Sequence, residues 1–182
     1  MRRGLCVSGV QVDVGQLRGM PVAILFSAFA VPSAREFTRQ LMDVYKDLKA
    51  KGKGFEVVFL HNDESAEVWK QSTKEMGWLA VPFSDSGTID SAGQSFAIQD
   101  LPTLVLLDQE GNRVTNEGVE VIKKYGSSAW PFSEERLQNL NNSKNGEGDS
   151  VRKGGGGRLS SENGMGEEPI NNRQVAPDSY ER

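Results

Sequence analysis

Between Val22 and Leu60 the spacing of apolar residues changes period twice, and this limits the folds open to the chain. Val22 to Phe26 is a continuous apolar run, the pattern of a strand covered on both faces. From about Ser33 the period lengthens: Phe37, Leu41, Val44, Tyr45 and Leu48 form one stripe of an amphipathic helix that stops at Gly52. Phe55 to Leu60 is β-branched and aromatic, a second buried strand. A helix between two buried strands implies a crossover joining parallel neighbours.

The flanking segments extend this unit. Val10 to Leu17 begins as an alternating edge strand, and Glu64 to Met76 reads as a polar helix anchored by Val68, Trp69 and Met76. Trp78 to Phe83 is apolar but contains Pro82, so it is expected to be a packed connector rather than a central strand. A short helix is expected over Ile89 to Phe96. Leu104 to Leu107 forms a strand whose turn, Asp108 to Asn112, leads into an antiparallel partner at Arg113 to Thr115. Val119 to Tyr125 and Glu134 to Leu140 are the last helical segments. The expected architecture is α/β, a mixed central sheet with helices on both faces.

Beyond Asn141 the composition shifts to Gly, Ser, Asn and charged residues, with too few apolar side chains to offset ordering entropy. Residues 1–8 are expected to be a flexible N-terminus, 9–140 the folded domain and 141–182 a disordered tail. The glycines at 154–157 are a spacer, since no strand precedes them and no Lys-Ser/Thr pair follows. The net charge is −4 without a long run of one sign, which argues against a nucleic-acid or acidic-membrane surface. Met20 to Pro32, the longest apolar stretch, is shorter than the roughly 20 residues a membrane span needs. The N-terminal apolar run is too short and interrupted for a signal peptide. Together with one cysteine this points to a reducing compartment, the cytoplasm or nucleus.

That cysteine, Cys6, also excludes an intramolecular disulfide, a CxxC pair and a four-cysteine zinc site. Placed ahead of the first expected strand, in a segment expected to fray, it is read chiefly as a non-functional thiol, with a reactive thiol open to glutathionylation or an intermolecular disulfide as the alternative. The single histidine, His61, with Asp63 and Glu64 supplies too few ligands for a metal, and a solvated loop is expected there. No metal and no cofactor is expected. Trp69, Trp78 and Trp130 are read as core or rim packing, and Arg35 as a solvated charge.

Several segments together resemble the nucleoredoxin and tryparedoxin branch of the thioredoxin superfamily. Phe26-Ser27-Ala28 stands where that family ends the strand leading to its active site. Pro32, Arg35, Phe37 and Thr38 match residues in and after its WCPPCRxFTP motif. Glu56 to Phe59 matches the next strand, and Trp78 to Phe83 reproduces six successive residues of its signature connector. Leu101-Pro102-Thr103-Leu104 matches the loop whose proline is cis in the family. Asp108, Gly111, Gly118 and Trp130-Pro131-Phe132 complete a match over about residues 9–140, with plant-type nucleoredoxin domains the nearest in pattern. The resemblance implies a three-layer thioredoxin-like fold, and a disulfide oxidoreductase activity.

The departure falls on the chemistry. Where the family carries Trp-Cys-Pro-Pro-Cys, this chain has Ala30, Val31, Pro32, Ser33 and Ala34. Family catalysis uses a thiolate at a helix N-terminus and a second thiol to resolve the mixed disulfide, and Val31 and Ala34 supply neither. Ser33 is in the right turn, but a hydroxyl nucleophile needs a positioned base; a helix N-cap role is favoured. What can survive without cysteines is the peptide groove between this turn and the cis-proline loop, built from Ala30, Pro32, Ser33, Trp78, Leu101 and Pro102. The expected function is a redox-inactive binding or adaptor module for a protein or peptide partner. Its rivals are an oxidoreductase working through a lone thiol or a partner subunit, and a domain of a larger assembly whose tail carries the interaction.

Overall fold

Alternation along the strands divides the buried side chains between two faces of one sheet. In the computed structural model, residues 5–7, 10–62 and 65–146 are described. The chain divides into two units, Met1–Gly148 and Asp149–Arg182, and the second lies outside the described residues. Seven strands, β1 (Leu5–Val7), β2 (Val10–Val12), β3 (Val22–Ser27), β4 (Glu56–His61), β5 (Leu79–Ala80), β6 (Thr103–Leu107) and β7 (Arg113–Thr115), order as β2-β1-β5-β4-β3-β6-β7. β3, β4 and β5 run parallel, and the β1/β2, β1/β5, β3/β6 and β6/β7 pairs are antiparallel.

On one face Ala23, Leu25, Val57, Phe59, Leu104 and Leu106 form the larger core. Against it pack α1 (Pro32–Ala50) through Phe37, Leu41 and Leu48, α2 (Ala66–Met76) through Trp69, α4 (Gly118–Tyr125) through Ile122, and α5 (Glu134–Gly146) through Leu137 and Leu140. On the other, Val22, Phe26, Val58, Leu60 and Val105 meet Ile89 and Ala92 of α3 (Ser86–Ser95), with Leu17 and Met20 from the loop before β3. Helices thus lie on both faces, four against one.

Local chemistry sets the ends of these elements. Ser65 caps α2 by accepting from Val68 N, and Gly77 closes it at φ +66. Asp85 accepts from the Thr88 amide at 3.1 Å and the Thr88 hydroxyl at 2.8 Å, so α3 begins three residues before the expected Ile89. The edge strand expected from Val10 to Leu17 stops at Val12, because Asp13 accepts from Gly15 N and turns the chain into a 3-10 helix at Val14–Leu17.

Three boundaries differ more from expectation. The N-terminus is not wholly loose: Cys6 pairs with Gln11 of β2 and with Ala80 of β5. Ala80 and Leu79 are themselves a short central strand inside the expected connector, with Pro82 placed just past it, where no ladder hydrogen bond is needed. At the other end α5 runs to Gly146, six residues past the expected boundary, and the Lys124 ammonium and Tyr125 hydroxyl both donate to Asn141 Oδ1. The rest of the expected tail lies outside the described residues.

Gly118 shows how closely α4 approaches the sheet. A Cβ there would lie 2.5 Å from the Leu104 carbonyl oxygen and 3.0 Å from Leu104 Cβ. Neither is a flexible side-chain end that could swing away. Gly118→Ala is therefore expected to destabilise the domain by about 1–3 kcal/mol, the usual range for overpacking, read as a lower urea midpoint at unchanged slope. A change under about 0.5 kcal/mol would mean that α4 shifts to admit the methyl group.

Candidate functional site

The C-terminal ends of β3 and β4 and the start of β6 converge. Ser27 is in register with His61, Phe26 with Thr103, and the Asn62 amide donates to Ser27 O at 3.0 Å. Three connections therefore emerge side by side: the turn at 28–31 into α1, the segment after His61, and the loop before Thr103.

The first of these carries the replaced positions. Ala28 is buried, Phe29 and Ala30 turn, and Val31 N donates to Ala28 O at 3.2 Å. Pro32 takes the first helical position, where its fixed φ and missing N–H suit a helix start. Val31 is consequently the N-cap, with φ −90° and ψ 116°, and no side chain accepts from the first-turn amides. This corrects the capping role expected of Ser33, which is the second helical residue and exposed. Ala34 is fully buried, and its carbonyl accepts from the Thr38 hydroxyl at 2.8 Å. Val31 thus stands half-buried at the uncapped helix end, Ala34 beneath it, and Ala30, Pro32 and Ser33 face solvent. The Arg35 guanidinium lies 5.5 Å from the Phe29 ring centroid, so its charge is partnered by that ring rather than fully solvated.

In the third connection the Leu101–Pro102 peptide is cis, as the resemblance implied; Trp130–Pro131 is cis as well. Leu101 and Pro102 are half-buried. Beside them opens a cleft of about 630 Å³ lined by Phe26, His61, Asn62, Ile98 and Leu101, with Ala97 held at φ +53 on its rim. Sequence reasoning misses Ile98 and Ala97, since nothing in the short connection of residues 96–100 after α3 marks a cleft wall.

Of three further candidate residues, Trp78 and Cys6 do not belong to this surface and His61 only borders its cleft. Trp78 is 1% exposed in the larger core, its ring edge-on to Tyr45 at 6.1 Å, and it contributes nothing to a groove. His61 is the last residue of β4, buried and stacked on Phe83 at 4.9 Å and 15°, with Trp69 edge-on at 6.2 Å. The strand thus includes His61, expected in a solvated loop, and Asp63 and Glu64 of that expected loop lie outside the described residues. Trp69 and Trp130 are likewise dispersed: Trp69 is in the core, and Trp130 Nε1 donates to Gly54 O with Lys53 Nζ 4.3 Å above its ring.

Cys6 is the third. Its strand pairing buries it to 6% exposure, its thiol donates to Ala80 O at 3.3 Å, and desolvation pushes its pKa up. A raised folded pKa favours the protonated thiol. The stabilisation it brings is present below the unfolded value of about 8.5 and declines as pH rises through the folded one. The native protein is expected to react with a thiol-selective disulfide reagent at least tenfold more slowly than the urea-unfolded chain. Equal rates would show that β1 opens freely. Among the described residues no group of three His, Cys, Asp or Glu is placed to hold a metal ion, and no helix is long and apolar enough to cross a membrane.

The match to known proteins follows this geometry. The family model described as thioredoxin-like covers residues 19–113. The chain belongs to the thioredoxin-like family, in its nucleoredoxin and tryparedoxin branch. Probable nucleoredoxin 1 of Arabidopsis thaliana is 40% identical over 132 residues, 72% of this chain and 23% of that protein. Nucleoredoxin of Homo sapiens is 34% identical over 137 residues, 75% of this chain and 32% of its own length. The chain therefore spans about a quarter to a third of these relatives. Among solved structures, tryparedoxin II complexed with glutathionylspermidine superposes with a TM-score of 0.66 at 31% identity, covering 73% of this chain and 94% of that one. The fold, the family and the replacement of its dithiol are thus as the sequence indicated.

Proposed function

We propose that this chain is a redox-inactive member of its family that works by binding an extended peptide segment of a protein partner in the cytoplasm or nucleus. The contact surface is the former dithiol face, reduced to Ala30, Pro32, Ser33, Leu101 and Pro102 once Trp78 is assigned to the core. The observation that carries this reading is the pairing of an intact helix end with Val31 and Ala34 where the dithiol would stand. The scaffold for chemistry is present and its reagents are absent. The burial of Cys6 supports binding over a monothiol enzyme, because a buried, protonated sulfur is a poor nucleophile. That tryparedoxin II is solved with glutathionylspermidine supports a fold that accepts a peptide-like ligand.

The test uses the full chain. Peptides selected from a display library on immobilised protein are titrated against wild type, Ala30→Arg and Ser33→Arg, two exposed positions where a long cation would obstruct the surface without touching the core. Both variants are expected to weaken the selected peptides at least tenfold, while wild type shows no disulfide reductase turnover above the uncatalysed rate. Peptides indifferent to both substitutions would sink the reading. So would wild-type turnover abolished by Cys6→Ser.

A further inference from the structure

A cavity larger than the cleft at the former dithiol face opens elsewhere in the domain. It has a volume of about 1130 Å³ and lies against the less covered face of the sheet, between the loop of residues 13–20, α3 and the β6–β7 turn. Its mouth lies at the N-terminal end of β3 and the C-terminal end of β6, and its floor extends along the sheet to Leu60, which also borders the cleft beside Leu101, while the turn at 28–31 follows the opposite end of β3. Its floor is set by strand alternation: Val22 and Ile24 of β3, Val58 and Leu60 of β4, and Leu107 of β6 all point to this side. Among the described residues only α3 and the 3-10 segment stand over that floor, against four helices on the opposite face. Ile24, Leu107, Leu17 and Met20 remain part-exposed, and at the mouth Val14, 48% exposed, is the most exposed large apolar side chain of the described residues.

The charge around this floor is uneven. Three carboxylates, Asp13, Asp108 and Glu110, line the cavity with one guanidinium, Arg18. Desolvation is the largest single influence on Asp108 and opposes its ionisation, but its oxygens accept from the Glu110 and Asn112 amides and from Asn112 Nδ2, and these hydrogen bonds together hold its pKa below the usual carboxylate value. Asp13 accepts from Gly15 N at 2.8 Å and stays at the rim. Among the described residues Glu110, exposed in the turn, makes no side-chain ion pair, and Arg18 makes none either. The three carboxylates therefore outnumber the one cation beside them, and the rim stays net acidic.

We propose that this cavity is a second binding site, independent of the former dithiol face, for a basic amphipathic peptide segment of a partner protein. Apolar anchors of such a segment fill the floor over β3, β4 and β6. Its Lys or Arg side chains lay their aliphatic stems along the exposed Val14 and the part-exposed Leu107 and bring their heads to Glu110, Asp108 and Asp13. The volume slightly exceeds the roughly 300–1,000 Å³ usual for small-molecule pockets, which suits several side chains of one segment. An acidic segment of equal apolarity would place its carboxylates against three others, so the rim supplies specificity as well as attraction.

The experiment is a titration of the full-length chain with two fluorescein-labelled 18-residue model helices of leucine and lysine or leucine and glutamate, identical in apolar positions. The lysine helix is expected to bind saturably and the glutamate helix at least tenfold more weakly. Glu110→Lys, an exposed turn change, should weaken the lysine helix about fivefold or more and weaken its salt dependence. Val14→Asp, which removes an anchor while adding negative charge, should also weaken it, which separates apolar docking from charge attraction alone. Ala30→Arg, at the other end of the sheet, should leave it unchanged. Equal affinity for the two helices, indifference to Glu110→Lys, tighter binding by Val14→Asp, or loss with Ala30→Arg would each overturn the proposal.

Discussion

The quadruple variant Ala30→Trp, Val31→Cys, Ser33→Pro, Ala34→Cys is expected to reduce a protein disulfide with measurable turnover in the presence of a dithiol reductant, where wild type gives none. The reason is positional. Residue 31 is the N-cap of a 19-residue helix whose first amides have no side-chain acceptor, so a sulfur there meets free N–H donors and the positive end of the helix dipole. Both stabilise thiolate over thiol, and the pKa of the thiol introduced at position 31 should fall below the free-cysteine value of about 8.5. Thiolate absorbance against pH measures this directly. The thiolate attacks one sulfur of the substrate disulfide and expels the other as a thiolate. The second new thiol, one helical turn further at position 34, then displaces the substrate and closes an intramolecular disulfide, which the added reductant reopens.

The single change Val31→Cys separates the two steps. It should show the lowered pKa and trap a mixed disulfide, but not turn over, because nothing resolves it. The site at 34 is the tighter one: Ala34 is fully buried and its carbonyl is held by Thr38. The added sulfur should cost about 1–3 kcal/mol as overpacking, short of unfolding a domain of ordinary stability. A folded quadruple variant with a normal thiol pKa would show that the helix end has drifted along with the cysteines. A folded variant with a low pKa but no turnover would place the loss in the cis-proline loop or the cleft beside it.

The parts of this design legible in the sequence are those governed by local period. β3, α1 and β4 are readable because a continuous apolar run, a helical stripe and a β-branched run follow one another with clear boundaries. β1 and β5 are not, since each is two or three residues long and exists only through pairing: Cys6 opposes Ala80 across 74 positions of sequence. No window of local pattern contains that information. The same holds for His61, whose polar neighbours suggest a loop while its ring is fixed by Phe83 and Trp69 from two other segments. At the candidate site the missing thiols can be read directly, whereas the capping role expected of Ser33 falls to Val31, because Pro32 takes the first helical position and makes its predecessor the cap. The cavity over the second face is illegible, because it depends on how little of the chain between Asp13 and Met20, and between β5 and β6, returns to cover the sheet.

Trp78 gives the largest expected loss of stability and separates its structural role from the groove role suggested by its place in the signature connector. It is 1% exposed between Tyr45 and the larger core, so truncation to alanine removes a whole indole from a site walled by α1 and the sheet. Trp78→Ala is expected to cost about 3–5 kcal/mol, a large share of the roughly 5–15 kcal/mol of a typical domain, and to show as a much lower urea midpoint. Trp78→Phe should cost far less than a typical tryptophan replacement. The indole Nε1 is buried without a hydrogen-bond partner among the described residues, so removing that N–H relieves an unsatisfied donor whose burial itself costs about 1–3 kcal/mol, and this offsets much of the lost ring area. For a groove residue the order would differ: both variants would fold normally and both would lose peptide affinity. Trp78→Phe should therefore bind selected peptides as wild type does, and a tenfold loss of affinity in a stably folded Trp78→Phe would return this side chain to the binding surface and its buried position to doubt.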